Sequence, residues 1–257
     1  MDKNELKYTF GHSLGIPEPT NFHMHMHNEY EILYFVRGDA DFQIEGTTYK
    51  LKPRDLLFIR PRTFHYSTPR PSEIYERFVI NFSEGLLAPV LDEFVRNAEN
   101  IYSIPKDSPI DRLFSELSEI KSHVTKEEYK ILTRHVAETV TVYLKYLKAD
   151  EKAEPIAENG TLDAILKYID DNPTKRITVE DISEKFFISR SWITHAFKKH
   201  LGIGLHQYTV KKQILYAEGL IKNGHSPTEV ASICGYSSYI TFYRQYKKTL
   251  GYIPSRT

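Results

Sequence analysis

The chain has 257 residues, enough for one large domain or two ordinary ones. Its 40% hydrophobic and 26% charged residues are globular values. No basic stretch leads into an apolar core at the N-terminus, and no run reaches the ~18 apolar residues of a membrane span. The single cysteine, Cys234, excludes an internal disulfide and a cysteine-based zinc site. A soluble cytoplasmic protein with no membrane partner is expected.

The 34 Lys/Arg and 34 Asp/Glu cancel over the whole chain, but not locally. Residues 156–257 hold 14 basic and 9 acidic residues, which leaves 20 basic and 25 acidic residues in the rest. A basic end on an acidic body is the electrostatic footprint of a phosphate-binding partner. An ordinary solvated basic face is the competing explanation.

Residues 1–21 have no clear period and read as an arm with one short strand. From Phe22 to Phe82 the pattern is β, with runs at Tyr30–Val36, Asp41–Ile44, Thr47–Leu51, Leu56–Ile59 and Ile74–Phe82. Short strands at this spacing predict a sandwich or barrel. Residues 86–97 then look helical, with Leu87, Val90, Leu91, Phe94 and Val95 on one face. A second helix starts near Ile110, and a third runs from Lys126 to Lys148. The third carries Leu132, Val136, Val140, Tyr143, Leu144 and Leu147 at spacings of three and four. That stripe packs on the β-domain or forms a homodimer seam. Ala149–Pro155, short and charged, reads as the linker between a domain at 1–150 and a second at 151–257.

Everything after Leu162 has helical periodicity. Thr178 is a candidate N-cap, and Asn223-Gly224 closes a helix over Gly204–Ile221. Within this region Phe197-Lys198-Lys199-His200-Leu201-Gly202 returns as Tyr246-Lys247-Lys248-Thr249-Leu250-Gly251, at an offset of 49 (246 − 197). At the same offset Glu180 meets Glu229, Ser183 meets Ser232 and Ser189 meets Ser238. One supersecondary unit used twice is the simplest reading, and a short helix, a turn and a second helix make a helix-turn-helix. The second helices are predicted over Arg190–His200 and Ser238–Leu250. On a helical wheel Ile193, Ala196 and Phe197 face inward, opposite Ser191, Thr194, His195 and Lys198. In the second unit Phe242 and Tyr246 face inward, and Tyr239, Ile240, Tyr243, Arg244 and Lys247 project out. A helix that enters a DNA major groove needs this division. Arg244 suits a guanine, and Thr194 and Ile240 suit a thymine methyl. Lys198, Lys199, Lys211, Lys212, Lys247 and Lys248 suit phosphates.

On these residues, about 160–256 resemble the DNA-binding domain of the AraC/XylS family of bacterial transcription regulators. The motif positions are Ser189, Phe197-Lys198-Lys199, Leu201-Gly202, Tyr208, Ala217, Val230-Ala231, Gly235-Tyr236-Ser237, Phe242, Tyr246-Lys247-Lys248 and Pro254-Ser255. Gln213, where the family usually has arginine, and Ile240, where it is commonly polar, depart from it. The resemblance implies double-stranded DNA and RNA polymerase as partners, a homodimer, a small-molecule effector such as a sugar, and activation more often than repression.

His23, His25 and His27 alternate and so share one face of a strand. Glu31 follows four residues after His27, and His65 comes on a later strand. Two histidines, a carboxylate and a third histidine suit a divalent transition metal. The spacing His25-x-His27-x3-Glu31-x6-Gly38 is similar to the first motif of the cupin barrel, a sensor module that such regulators often carry. The second motif is degraded, with Thr63 in place of glycine. Three readings stay open. His25, His27, Glu31 and His65 hold a metal; or they line, with Tyr34 and Arg37, a pocket for an organic ligand that Arg60, Arg62 and Tyr66 also reach; or the histidines only satisfy hydrogen bonds. The expected fold is α+β and multidomain: a cupin-like β-barrel with following helices, then an all-α domain with two helix-turn-helix units. The expected function is ligand-responsive DNA binding without enzyme activity or an obligate cofactor. The rival is a metal-dependent cupin enzyme, an isomerase or dioxygenase, with a helical appendage.

Overall fold

The computed structural model describes residues 8–18, 25–71, 73–147 and 160–255, which form two compact units, 8–147 and 160–255. His23 and the expected linker at Ala149–Pro155 lie outside the described residues.

In the first unit the strands are β1 (Tyr8–Gly15), β2 (Tyr30–Arg37), β3 (Ala40–Ile44), β4 (Thr47–Lys50), β5 (Asp55–Ile59), β6 (His65–Pro69), β7 (Tyr75–Phe82) and β8 (Ile101–Ser103). They make a five-stranded sheet, β1-β7-β2-β5-β8, and a three-stranded sheet, β4-β3-β6. All named pairs are antiparallel. Among the described residues the sheets face each other without closing into a barrel. Alternation along β2 divides its side chains between two cores. Leu33 and Phe35 join Phe42, Ile44 and Leu57 between the sheets. Tyr30, Ile32 and Tyr34 join Phe58, Phe78 and Phe82 beneath the helices.

Those helices are α1 (Asp92–Asn97), α2 (Ile110–Ile120) and α3 (Lys126–Tyr146). The segment at 86–97 is less helical than its periodicity predicts. A 3-10 turn at Pro89–Leu91 precedes α1, while Leu86 and Leu87 bury from the approach to that turn. The stripe on α3 is used up by the sheet: Val136, Val140 and Leu144 are buried, and Leu132 and Leu147 pack against the same core. Tyr143 stays exposed. A capping box at Thr125 and Glu128 starts α3.

The second unit holds α4 (Gly160–Asp170), α5 (Val179–Phe186), α6 (Arg190–Leu201), α7 (Leu205–Lys222), α8 (Pro227–Ile233) and α9 (Tyr239–Leu250). Capping boxes at Thr178/Asp181 and Ser226/Glu229 start α5 and α8. These boxes correct the repeat. They lie 48 residues apart (226 − 178), whereas Ser189 and Ser238, the N-caps of α6 and α9, lie 49 apart. Glu229 therefore corresponds to Asp181, not to Glu180, and Ser232 does not correspond to Ser183. The extra residue of the second unit falls between Gly235, whose φ of 71° matches the 55° of Phe187 at the offset of 48, and the N-cap Ser238. Both second helices end on a left-handed glycine, Gly202 and Gly251.

Candidate functional sites

Two clusters of functional side chains emerge, one in each unit. In the N-terminal unit, His25, His27, Glu31 and His65 come together, with one ligand atom from each within 4.8 Å of the others. His25 reaches the site through a two-residue bridge to β6: its amide donates to the His65 carbonyl at 3.2 Å and its carbonyl accepts from the His65 amide at 3.0 Å. Glu31 points from β2 into the space between the sheets, and His65 stacks on Phe42. The Arg62 amide donates to the His27 carbonyl at 2.7 Å and orders that turn.

Backbone carbonyls set two of the rings. A carbonyl only accepts, so His27 Nδ1 donates to Glu29 O at 3.0 Å and His65 Nδ1 donates to Thr63 O at 2.9 Å. The Nε2 atoms then face Glu31 Oε2, at 3.1 Å from His27 and 3.7 Å from His65. Burial alone would raise the Glu31 carboxyl, but the His27 hydrogen bond and the imidazole charges of His27 and His65 outweigh it and hold the group well below its ordinary range. Burial alone would lower His27, and its contact with Glu31 instead raises it.

Asn81 is the member that sequence reasoning missed. Its Nδ2 donates to Glu31 Oε2 at 2.9 Å from the directly opposed position on β7. The available signal was a polar residue between Ile80 and Phe82, on the strand face opposite both.

Several expected pocket residues lie elsewhere. Tyr34 is on the other face of β2, where it stacks on Phe114 and its hydroxyl donates to Asp111. One residue of strand alternation separates it from the cluster. Arg37 lies past a β-bulge at the far end of β2, exposed and paired with Glu76 at 2.8 Å. Arg60 donates to Ala98 O and to Asn100 Oδ1, closing the end of α1. The guanidinium of Arg62 reaches Glu84 at 3.4 Å.

In the C-terminal unit the inward residues are as the wheel requires: Ile193, Ala196 and Phe197 on α6, and Phe242 and Tyr246 on α9, are buried. Ser191, Thr194, His195 and Lys198 are exposed along α6. On α9, Tyr239, Ile240, Arg244 and Lys247 are exposed, and Tyr243 is half-buried beside Tyr239. Lys212 is a correction. It is 6% exposed, its Nζ is 2.8 Å from Asp170, and it lies over the Tyr208 ring, so it fastens α7 to the end of α4. Gln213 Nε2 donates to the Cys234 carbonyl at 2.9 Å, so it fixes the turn of the second unit.

Known proteins match both units. The family model described as an AraC-like ligand binding domain matches residues 12–136, and a helix-turn-helix domain model matches residues 182–257. The chain is 26% identical over 236 residues to LumQ of Photobacterium leiognathi, named as a transcriptional regulator, with 90% of each chain covered. It is 25% identical over 249 residues to the HTH-type transcriptional regulator YdiP of Escherichia coli, covering 90% of this chain and 79% of that one. Among solved structures, ToxT from Vibrio cholerae matches over 96% of each chain at 14% identity, with a TM-score of 0.41. Among the described residues no helix is long and apolar enough to cross a membrane.

Proposed function

We propose that this chain, which belongs to the AraC family of transcription regulators, reads two successive DNA major grooves with α6 and α9 under the control of a ligand held at the His25–Glu31–His65 cluster. The observation that carries the DNA-reading part is the pair of helices with buried apolar backs and exposed polar fronts, joined by α7. The 18 residues of α7 rise roughly 27 Å. With the width of the flanking units this suits adjacent groove faces about 34 Å apart. Ser191, Thr194 and His195 read bases from α6, and Tyr239, Ile240, Tyr243 and Arg244 read them from α9. Lys198, Lys199, Lys247 and Lys248 neutralise phosphates.

A ligand shifts DNA binding only by the difference in its affinity for two arrangements of the protein. Activation, a carbohydrate effector, a cytoplasmic setting and contact with RNA polymerase come from the family resemblance. For the homodimer there is a feature to favour it. With its buried stripe on the sheet, α3 still exposes Ile131, Val142 and Tyr146 on another face. Tyr146→Glu should shift the chain from dimer to monomer in sedimentation, and an unchanged profile would remove α3 as the seam.

The deciding experiment sequences the genomic fragments that the protein retains, with and without candidate metabolites. Enrichment of one asymmetric motif, altered by a metabolite, is expected. No enrichment would defeat the reading. A metal-dependent isomerase or dioxygenase would instead show turnover that is lost on His25→Ala.

A further inference from the structure

We propose that His25, His27, Glu31 and His65 bind a divalent transition-metal ion that ties the two sheets of the N-terminal unit together. The inference rests on reading this unit as the ligand-binding one, and names a metal ion as a ligand of that site.

The donor atoms are close to a coordination shell. Bonds of about 2.1 Å in a tetrahedral site set neighbouring donors about 3.4 Å apart. His27 Nε2 and His65 Nε2 lie 3.1 and 3.7 Å from Glu31 Oε2. All four donors lie within 4.8 Å of one another, so closure of up to about 1.4 Å completes such a shell, and His25, at an exposed position, can move towards it by rotamer change.

The rings are already turned for a metal. Both His27 and His65 donate Nδ1–H to a backbone carbonyl, the outer-shell arrangement that fixes a ligating histidine with its Nε2 lone pair inward. Asn81 holds the carboxylate in the same manner. Three acceptors thus converge on one point. His27 can meet Glu31 with a second ring proton. His65 is left aimed at the cluster, 1% exposed, its Nε2 without a hydrogen-bond partner. An unmet acceptor in a buried place is unfavourable, and a cation at the centre answers it.

The donor chemistry narrows the ion. Three imidazole nitrogens and one carboxylate suit zinc, nickel, cobalt or iron(II), whereas magnesium and calcium take oxygen shells. One carboxylate against a divalent ion leaves the filled site at +1, a modest charge for a half-open position. The ion would also act on the fold. Glu31 belongs to the five-stranded sheet and His65 to the three-stranded one, and His25 and His27 precede β2. Coordination therefore adds a side-chain link between sheets, beside the backbone bonds of His25 with His65 and of Arg62 with His27.

The test uses the full chain, untagged and stripped with chelator, titrated calorimetrically with zinc, nickel and cobalt ions, with DNA binding measured alongside. One ion per chain is expected, with a rise in the denaturation midpoint and a cobalt visible spectrum of nitrogen–oxygen ligation. His65→Ala and Glu31→Gln should weaken binding at least ~100-fold, and Asn81→Ala ~10- to 100-fold. His12→Ala, outside the cluster, should leave it unchanged. If His65→Ala or Glu31→Gln unfolds, His25→Ala, at an exposed ring, carries the test. A chain that binds DNA and answers to an organic ligand but takes up no ion overturns the metal site and leaves the ligand reading standing. Equal metal affinity in wild type and His25→Ala also overturns it. A metal bound without any effect on DNA binding keeps the site and overturns its regulatory role.

Discussion

Cys234 illustrates how a buried side chain loses its chemistry. It is 2% exposed, and burial pushes its thiol up to about 11. At neutral pH the folded protein should resist alkylation, and the denatured protein should react fully; mass spectrometry of treated samples checks both. Lys212 makes the opposite point about charge. Its sequence context, Lys211-Lys212, reads as a phosphate grip, yet its ammonium is paired with Asp170 inside the unit. Lys212→Ala should destabilise the C-terminal unit by about 2 kcal/mol, the scale of a lost charged hydrogen bond. The fluorescence of Trp192, the only tryptophan, reports that unfolding. DNA affinity per folded molecule should hold its salt dependence, and a shallower salt slope would restore Lys212 to the interface. Residues of this kind limit what a sequence reveals. The facing of Ile193, Phe197, Phe242 and Tyr246 follows from a 3.6-residue period. The pairing of Lys212 with a residue on α4, or of Asn81 with Glu31 across β7 and β2, depends on contacts that no local period encodes.

Elements were legible where a cap or a long period marks them. Thr178 begins a helix as expected because its hydroxyl accepts from the third residue, and Ser226, which carries the same cap, went unread. β8 went unseen because a three-residue strand, Ile-Tyr-Ser, has too little alternation to stand out, and it pairs only through β5. Likewise β1 exceeds the short strand expected, since Gly11 and Ser13 weaken its pattern while all eight residues pair with β7. Two glycines separate conformational cost from steric cost. Gly251 has a φ of 81° and open space where a Cβ would stand. Gly251→Ala should therefore cost about 1 kcal/mol, the left-handed penalty alone. Gly38, between β2 and β3, has a φ of 124°, and a Cβ there would lie 3.1 Å from the Ile74 carbonyl oxygen and 3.2 Å from Tyr75 Cα. Gly38→Ala should exceed about 2 kcal/mol, because backbone strain and a clash with fixed backbone add. Denaturant midpoints of the two variants, read by circular dichroism, should fall in that order.

For the whole molecule, the two helix-turn-helix units differ in more than their outward-facing residues. The second halves superimpose on an offset of 49 and the first halves on 48, so the turn before α9 is longer than the turn before α6. The outward face differs too: Ser191, Thr194 and His195 against Tyr239, Ile240, Tyr243 and Arg244. The lysines after them repeat. If these faces read bases and the lysines grip phosphates as proposed, docking is shared between the units and reading is not, which favours an asymmetric site for one chain. Substitution separates the two roles. Arg244→Ala should relax preference at one base position by ~1–3 kcal/mol while leaving non-specific binding nearly unchanged. Lys198→Ala should weaken every sequence alike and reduce the slope of log affinity against log salt by about 0.9. A fluorescence titration against a randomised site library at several salt concentrations measures both effects on one protein. If Arg244→Ala weakened all sequences equally, α9 would be gripping phosphate, and specificity would rest on α6 alone. A second copy of the α6 half-site, from a dimer, would then be needed to define an operator, and the enriched motif would be a repeat of one short word instead of two different ones.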